Sequence, residues 1–212
     1  MATKKSAKKT AKKEKAGTPL ERVIDAALDE ALASGWRQVS MEAVASRAGM
    51  SLGDVLLEVP NKAKLLVKFI DQIDERTIRP GKAAPEESSR DRLFEILMRR
   101  FDAMNERREE AKAVISGVAR DPATAFVGLC RLKKSFVMML EAAGVNTSGP
   151  IGCLRVAGLK AVAAAALRAW MTDDSTDLSK TMAALDRALD RAEKLAGMAR
   201  WRGRKAEEPE AA

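Results

Sequence analysis

TPLERVIDAALDEALASGWRQVSMEAVASRAGMSLGDVLLEVPNKAKLL, residues 18–66, is the stretch that decides the fold. It opens a helix with Thr18 as N-cap, Pro19 at the first helical position and Glu21 completing a capping box. Leu20, Val23, Ile24, Ala27, Leu28, Ala31 and Leu32 then recur at helical spacing as one apolar stripe. Gly35 ends this helix, and Trp36 is expected to fold back onto the stripe. Ser40 caps a second helix that turns Met41, Val44, Ala45 and Ala48 inward. Gly49 supplies the positive φ that the following turn wants. Ser51 caps a third helix with Asp54 as its capping-box partner, and Pro60 stops it. Asn61 caps a fourth, whose stripe runs through Leu65, Leu66, Phe69, Ile70 and Ile73. Two short helices joined at Gly49 have the spacing of a helix-turn-helix, whose second helix can enter the DNA major groove.

Outward from this unit the composition bounds the rest. Hydrophobic residues make up 46% of the 212, enough for a packed core. There is no His, which rules out a histidine-dependent metal site or general base. Cys130 and Cys153 fit no close-spaced metal pattern and are expected to be buried free thiols of a reducing cytoplasm. Residues 1–17 hold seven lysines and one glutamate, so this arm carries +6 of the chain's +8 and leaves +2 for the rest. Charge of that density resists burial, so the arm is expected to be disordered. It is suited to DNA phosphates or an anionic membrane surface, or simply solubilises the chain. No apolar run is expected to reach the ~20 residues of a membrane span, and the lysine-rich start lacks the apolar segment of a secretory signal.

A linker rich in Pro, Gly and Ser, RPGKAAPEESS at 79–89, follows the first four helices. Beyond it, helical patterns begin at Ser88, Glu109, Asp121-Pro122, Pro150 and Leu178. The pattern from Pro150 is apolar on most faces and predicts burial on several sides, whereas the last is amphipathic. No strand pattern and no glycine-rich phosphate loop is present. The expected class is all-α: a disordered arm (1–17), a helix-turn-helix domain (18–66), a helical body (67–200), to which the resemblance given below assigns ligand binding and dimerisation, and a flexible tail (201–212). Phe94, Leu97, Phe101, Met104, Phe126, Phe136 and Met139 are candidates to line an apolar pocket in the body, since adaptable Met and sparse polar groups suit an apolar ligand. No nucleophile–base pair or metal cluster can be assembled, so neither an enzyme nor a cofactor is expected.

The ordered run A-A-L, Gly35-Trp36, S-M-E-A-V-A-S-R-A-G (40–49), Ser51-x-Gly53 and Pro60-x-Lys62 before Leu65-Leu66 resembles the DNA-binding domain of the TetR family of bacterial transcriptional regulators. The likeness covers about residues 19–66. It implies a homodimeric, cytoplasmic regulator that binds double-stranded DNA and a small effector. Ser51, Leu52, Gly53 and Asp54 would lie at the start of the recognition helix, with Ser40, Lys62 and Arg47 at phosphates. The family pairs through its last two helices, which makes Leu154, Leu159, Val162, Leu167, Met182, Leu185 and Leu189 candidates for the dimer interface.

The chain departs from that pattern on the reading helix. A small hydroxyl residue is usual where Asp54 stands, and aromatics where Leu56, Glu58 and Val59 stand. Over 18–66 five basic residues face seven acidic ones, a net charge of −2. A second stretch, R-D-R-L-F-E-I-L-M-R-R-F-D-A-M (90–104), together with W-M-T-D-D-S-T-D-L (170–178), resembles the ubiquinone-biosynthesis accessory proteins. That family shares the fold, has lost DNA binding, holds isoprenoid lipid in the body and docks on membranes through its C-terminal helix. Arg200-Trp201-Arg202-Gly203-Arg204-Lys205 would suit such a membrane surface, or is a fraying helix end with cations near the C-terminal dipole.

Overall fold

The computed structural model describes residues 17–78 and 87–206, with side chains up to Leu195. The lysine arm before Gly17, the linker positions 79–86, the tail from 207 and the side chain of Trp201 lie outside the described residues. Within them there are nine α-helices and no strand: α1 (Pro19–Ser34), α2 (Met41–Ala48), α3 (Leu52–Glu58), α4 (Lys62–Ile78), α5 (Ser89–Asn105), α6 (Arg108–Val118), α7 (Pro122–Ala142), α8 (Gly149–Met171) and α9 (Ser179–Ala206). The all-α class is as the sequence predicts.

The starts of these helices follow from their caps. The Thr18 hydroxyl accepts the Glu21 N–H and the Glu21 carboxylate accepts the Thr18 N–H, a complete capping box. Ser40, Ser51, Ser88 and Asp121 cap α2, α3, α5 and α7 through their side-chain oxygens. Asp54 differs in one respect from the expectation: its carboxylate takes the Ser51 hydroxyl at 2.7 Å rather than the backbone N–H. Gly49 sits at φ 63°, ψ 37° and donates its N–H back to the end of α2, which sets the angle between α2 and α3.

Two apolar cores result. The head core gathers Val23, Ile24 and Leu28 of α1 with Trp36, Val44, Val55, Val59, Leu65 and Ile70, and admits Val114 from α6. Val55 and Val59 have no exposed surface, and burying each contributes about 1.5–3 kcal/mol to folding α3 onto the head. The body core joins α4, α5, α7, α8 and α9 around Leu97, Phe101, Met139, Val162, Trp170 and Leu185. Helix α4 belongs to both: Leu65, Leu66 and Ile70 are in the head core, Ile73 in the body core, and Phe69 touches each. A boundary at residue 66 therefore falls inside one continuous helix.

Polar knots fix the body. Asp74 of α4 is buried and accepts from Arg100 Nη1 of α5, from Arg131 Nη2 at 2.7 Å and from Ser135 Oγ at 2.6 Å, both of α7. Burial pushes the Arg100 guanidinium toward the neutral form while Asp74 opposes this, and its affinity for a proton ends below the ordinary value. Between α8 and α9 the fully buried Asp173 accepts from the Thr181 N–H and hydroxyl (2.8 and 2.7 Å) and from both donors of Ser175. Burial works against its charge, yet these donors hold the carboxyl well below the usual carboxylate range.

Three expectations need correction. Cys130 and Cys153 are exposed, because the core faces of α7 and α8 are filled by Phe136, Met139, Val156 and Leu159 instead. Helix α8 is long and apolar enough, by length and composition, to cross a membrane; one face, Val156, Leu159, Val162, Ala166 and Trp170, packs into the body core. It is thus buried along one side rather than on several, with Ile151 and Leu154 outward.

Candidate nucleic-acid interface

Helix α3 stands out from the head. Val55 points into the core, while Leu52, Gly53, Asp54, Leu56, Leu57 and Glu58 are exposed, Leu57 at 87%. A Cβ built on Gly53 meets nothing closer than the Ser51 hydroxyl at 3.8 Å, so a side chain there would extend into solvent. Ser40 and Ser51 are exposed caps whose oxygens receive the Ala43 and Asp54 N–H groups at 3.1 Å. Both serve α2 and α3 internally.

The two expected phosphate cations are engaged within the protein. Arg47 forks onto Glu30 of α1 through Nε at 2.9 Å and Nη2 at 2.7 Å, and these bonds hold the Glu30 carboxyl below its ordinary value. Lys62, at the start of α4, donates to the Arg37 carbonyl at 3.2 Å. Its ammonium lies 3.7 Å from Asp121 Oδ2 and 5.3 Å from the centre of the Trp36 ring. The sequence reading missed Asp121 as the partner of Lys62, since nothing local connects α4 to the start of α7. It also passed over Arg37 and Lys64. Both are exposed, and among the described residues neither side chain has an ion-pair partner.

The head is seated firmly on the body. Arg107, in the α5–α6 turn, donates to Asp25 at 2.8 Å and to Asp29, both of α1, and reaches Glu110 at 3.1 Å. Burial works against the Arg107 charge, but Glu110, Asp29 and Asp25 raise its proton affinity overall. Gly117 of α6 lies so close beneath Trp36 that an added Cβ would fall 2.3 Å from the Trp36 Cβ.

This all-helical fold recurs in solved structures. A TetR transcriptional regulator from Nitrosomonas europaea overlays with TM-score 0.68 at 20% identity, over 84% of this chain and 99% of that one. The chain has the TetR fold. A TetR regulator from Rhodococcus (TM-score 0.59, 23% identity, 84% of this chain and 97% of that one) and another from Streptomyces coelicolor (0.60, 19%, 91% and 93%) share the TetR architecture. No protein-family model and no curated protein matches the sequence.

Within the TetR fold the remaining candidates separate by burial. Leu97, Phe101, Phe136 and Met139 are buried in the body core, Met104 lies at its edge and Phe94 packs against it. Phe126 is corrected: it is 69% exposed, on the face of α7 turned away from the core. Of the interface candidates, Leu159, Val162, Leu185 and Leu189 are buried within their own protomer, where α8 meets α9, and Leu167 packs against that core. Leu154 (66% exposed) and Met182 (42%) do face outward. Helical period alone could not choose, because α8 is apolar nearly all round.

Proposed function

We propose that this chain is a dimeric transcriptional regulator that inserts α3 into the DNA major groove and responds to a small effector. The observation that carries it is the projecting α3, six of whose seven residues are exposed beyond the head core in a TetR fold. Ser40, Arg37, Lys62 and Lys64 would meet phosphates around it, and Gly53 would let the backbone approach closely. Pairing with a second copy would use the outward face of α8, from Ile151 and Leu154 through Ala157, Ala161 and Ala164, with Met182 of α9. Small residues there permit close helix approach, and three large apolar side chains otherwise stay in water.

The test is an electrophoretic shift with DNA from the protein's own promoter region. Gly53→Leu has room to fold and should abolish the shift, and Lys62→Ala should weaken it. Sequence-specific binding that survives both changes together would sink the assignment.

One observation favours a second reading, a TetR-fold lipid binder that works at a membrane surface without DNA. The outward face of α3 holds three leucines, Asp54 and Glu58 and not one cation, a poor surface for phosphates. Under that reading native mass spectrometry finds a co-purified isoprenoid, and liposome flotation fails once residues 198–212 are removed.

A further inference from the structure

A cleft of about 430 Å³ opens where α1 of the head meets α4, α5 and the α5–α6 turn. That volume lies in the range of small-molecule sites. Its wall is built by one face of α4, since Phe69, Gln72, Ile73 and Arg76 follow at i, i+3, i+4 and i+7. Leu28 of α1 with Ala103 and Met104 of α5 complete the apolar part, which is the smaller share of the lining. Of the seven pocket candidates drawn from the sequence, Met104 alone lines this cleft.

The polar groups around that wall are unequally used. Its carboxylates are committed: Glu21 to the α1 cap at 2.8 Å, Asp25 to Arg107 at 2.8 Å, and Glu106 to Arg76. Its donors are in surplus. Among the described residues the Gln72 amide makes no hydrogen bond, Arg22 gives one N–H to the Ala48 carbonyl at 2.7 Å, and Arg76 gives one to Glu106. The Arg76–Glu106 pair is exposed, at 46% and 62% of its side chains. An exposed pair of this kind contributes little and exchanges readily.

Surplus donors beside an apolar wall complement one chemistry. We propose that this cleft binds a small organic anion, an apolar body ending in a carboxylate or sulfonate. Its head takes Arg76 from Glu106 and accepts from Gln72, and its body lies on Phe69, Ile73 and Met104. The ligand touches α1, α4 and α5 at once and so bridges head and body. Binding itself is independent of DNA; that the anion acts as an effector rests on the regulator reading above.

The probe is 1-anilinonaphthalene-8-sulfonate, titrated by fluorescence into the full-length protein, with decanoate and decanol as competitors. One site per chain is expected. Arg76→Gln should weaken the probe about tenfold, as loss of a charge-assisted contact does. Glu106→Gln should tighten it several-fold by freeing Arg76, a gain that no general loosening of the fold produces. Ala103→Phe, which fills the cleft, should remove binding. If that variant fails to fold by circular dichroism, the two surface substitutions still decide. Decanoate should displace the probe and decanol should not. Binding indifferent to Arg76→Gln and Glu106→Gln, or equal displacement by decanol, overturns the proposal. A protein that shifts DNA yet shows this indifference refutes the cleft alone. One that binds the probe as described without shifting DNA refutes the regulator reading alone.

Discussion

Asp74→Ala removes the carboxylate to which Arg100, Arg131 and Ser135 converge, and the three donors do not lose equally. Arg131 keeps Asp71, which its Nε reaches at 2.6 Å, and the Ser135 hydroxyl at 2.9 Å. Arg100 loses its Asp74 counter-ion, and its side chain is 9% exposed. A buried charge stripped of its counter-ion costs about 3–5 kcal/mol. For a chain of this length that corresponds to a fall of roughly 6–20 °C in Tm. Replacing the arginine by a residue of similar volume without charge removes the penalty, because a buried pair exchanged for apolar side chains is often neutral. Arg100→Met introduced into the Asp74→Ala background should therefore restore stability by at least about 1 kcal/mol. In the wild-type background the same change should destabilise, since Asp74 then loses one of its donors. Urea unfolding followed by far-UV circular dichroism, at one fixed protein concentration, measures all four corners of the cycle. If Arg100→Met destabilises the Asp74→Ala protein further, Arg100 acts by packing, and the electrostatic account of this site is wrong.

Other expectations follow from the same geometry. Asp173→Asn should cost about 2–4 kcal/mol by spoiling acceptance from Ser175 and Thr181. The Asp173 carboxyl is depressed in the fold, so its contribution is present above the ordinary carboxylate value near 4 and is lost as pH falls below it. The gap between wild type and Asp173→Asn should accordingly close on acidification, and a gap constant down to pH 2 would contradict this. Gly117→Ala drives a methyl into Trp36; it should lower stability by about 1–3 kcal/mol despite alanine's better helix propensity, as thermal melting would show. Both thiols should react with a disulfide reagent in the native protein, whereas buried thiols would need denaturant.

The head was legible because its signals are local. Thr18, Ser40, Ser51 and Asn61 each sit three residues before the N–H they accept, and Gly49 lies where a left-handed residue is required. The faces of α7 and α8 were not legible, since apolar residues surround both helices and the period marks a stripe without saying which neighbour covers it. Phe126, Cys130 and Cys153 fell on the wrong side for that reason. Charges were harder still. Lys62 reads as a phosphate ligand from its place at the head of α4, but Asp121 and Trp36 are brought beside it by tertiary packing. The cleft escaped notice for the same cause: its wall on α4 looks like ordinary core spacing until α1 and α5 leave the gap unfilled.

A continuous helix that serves both cores makes the two halves of this protein poor interchangeable parts. From Leu65 to Thr77, α4 rises about 18 Å without interruption, and each residue turns it by about 100°. One residue inserted or deleted between Ile70 and Ile73 would swing α3 by that angle about the α4 axis. It would also tear Arg107 from Asp25 and Trp36 from Gly117. A head grafted from a relative must be joined in phase with α4 and must bring its own match for Arg107, Gly117 and Asp121. Exchange of heads by recombination is thus confined to whole turns of one helix.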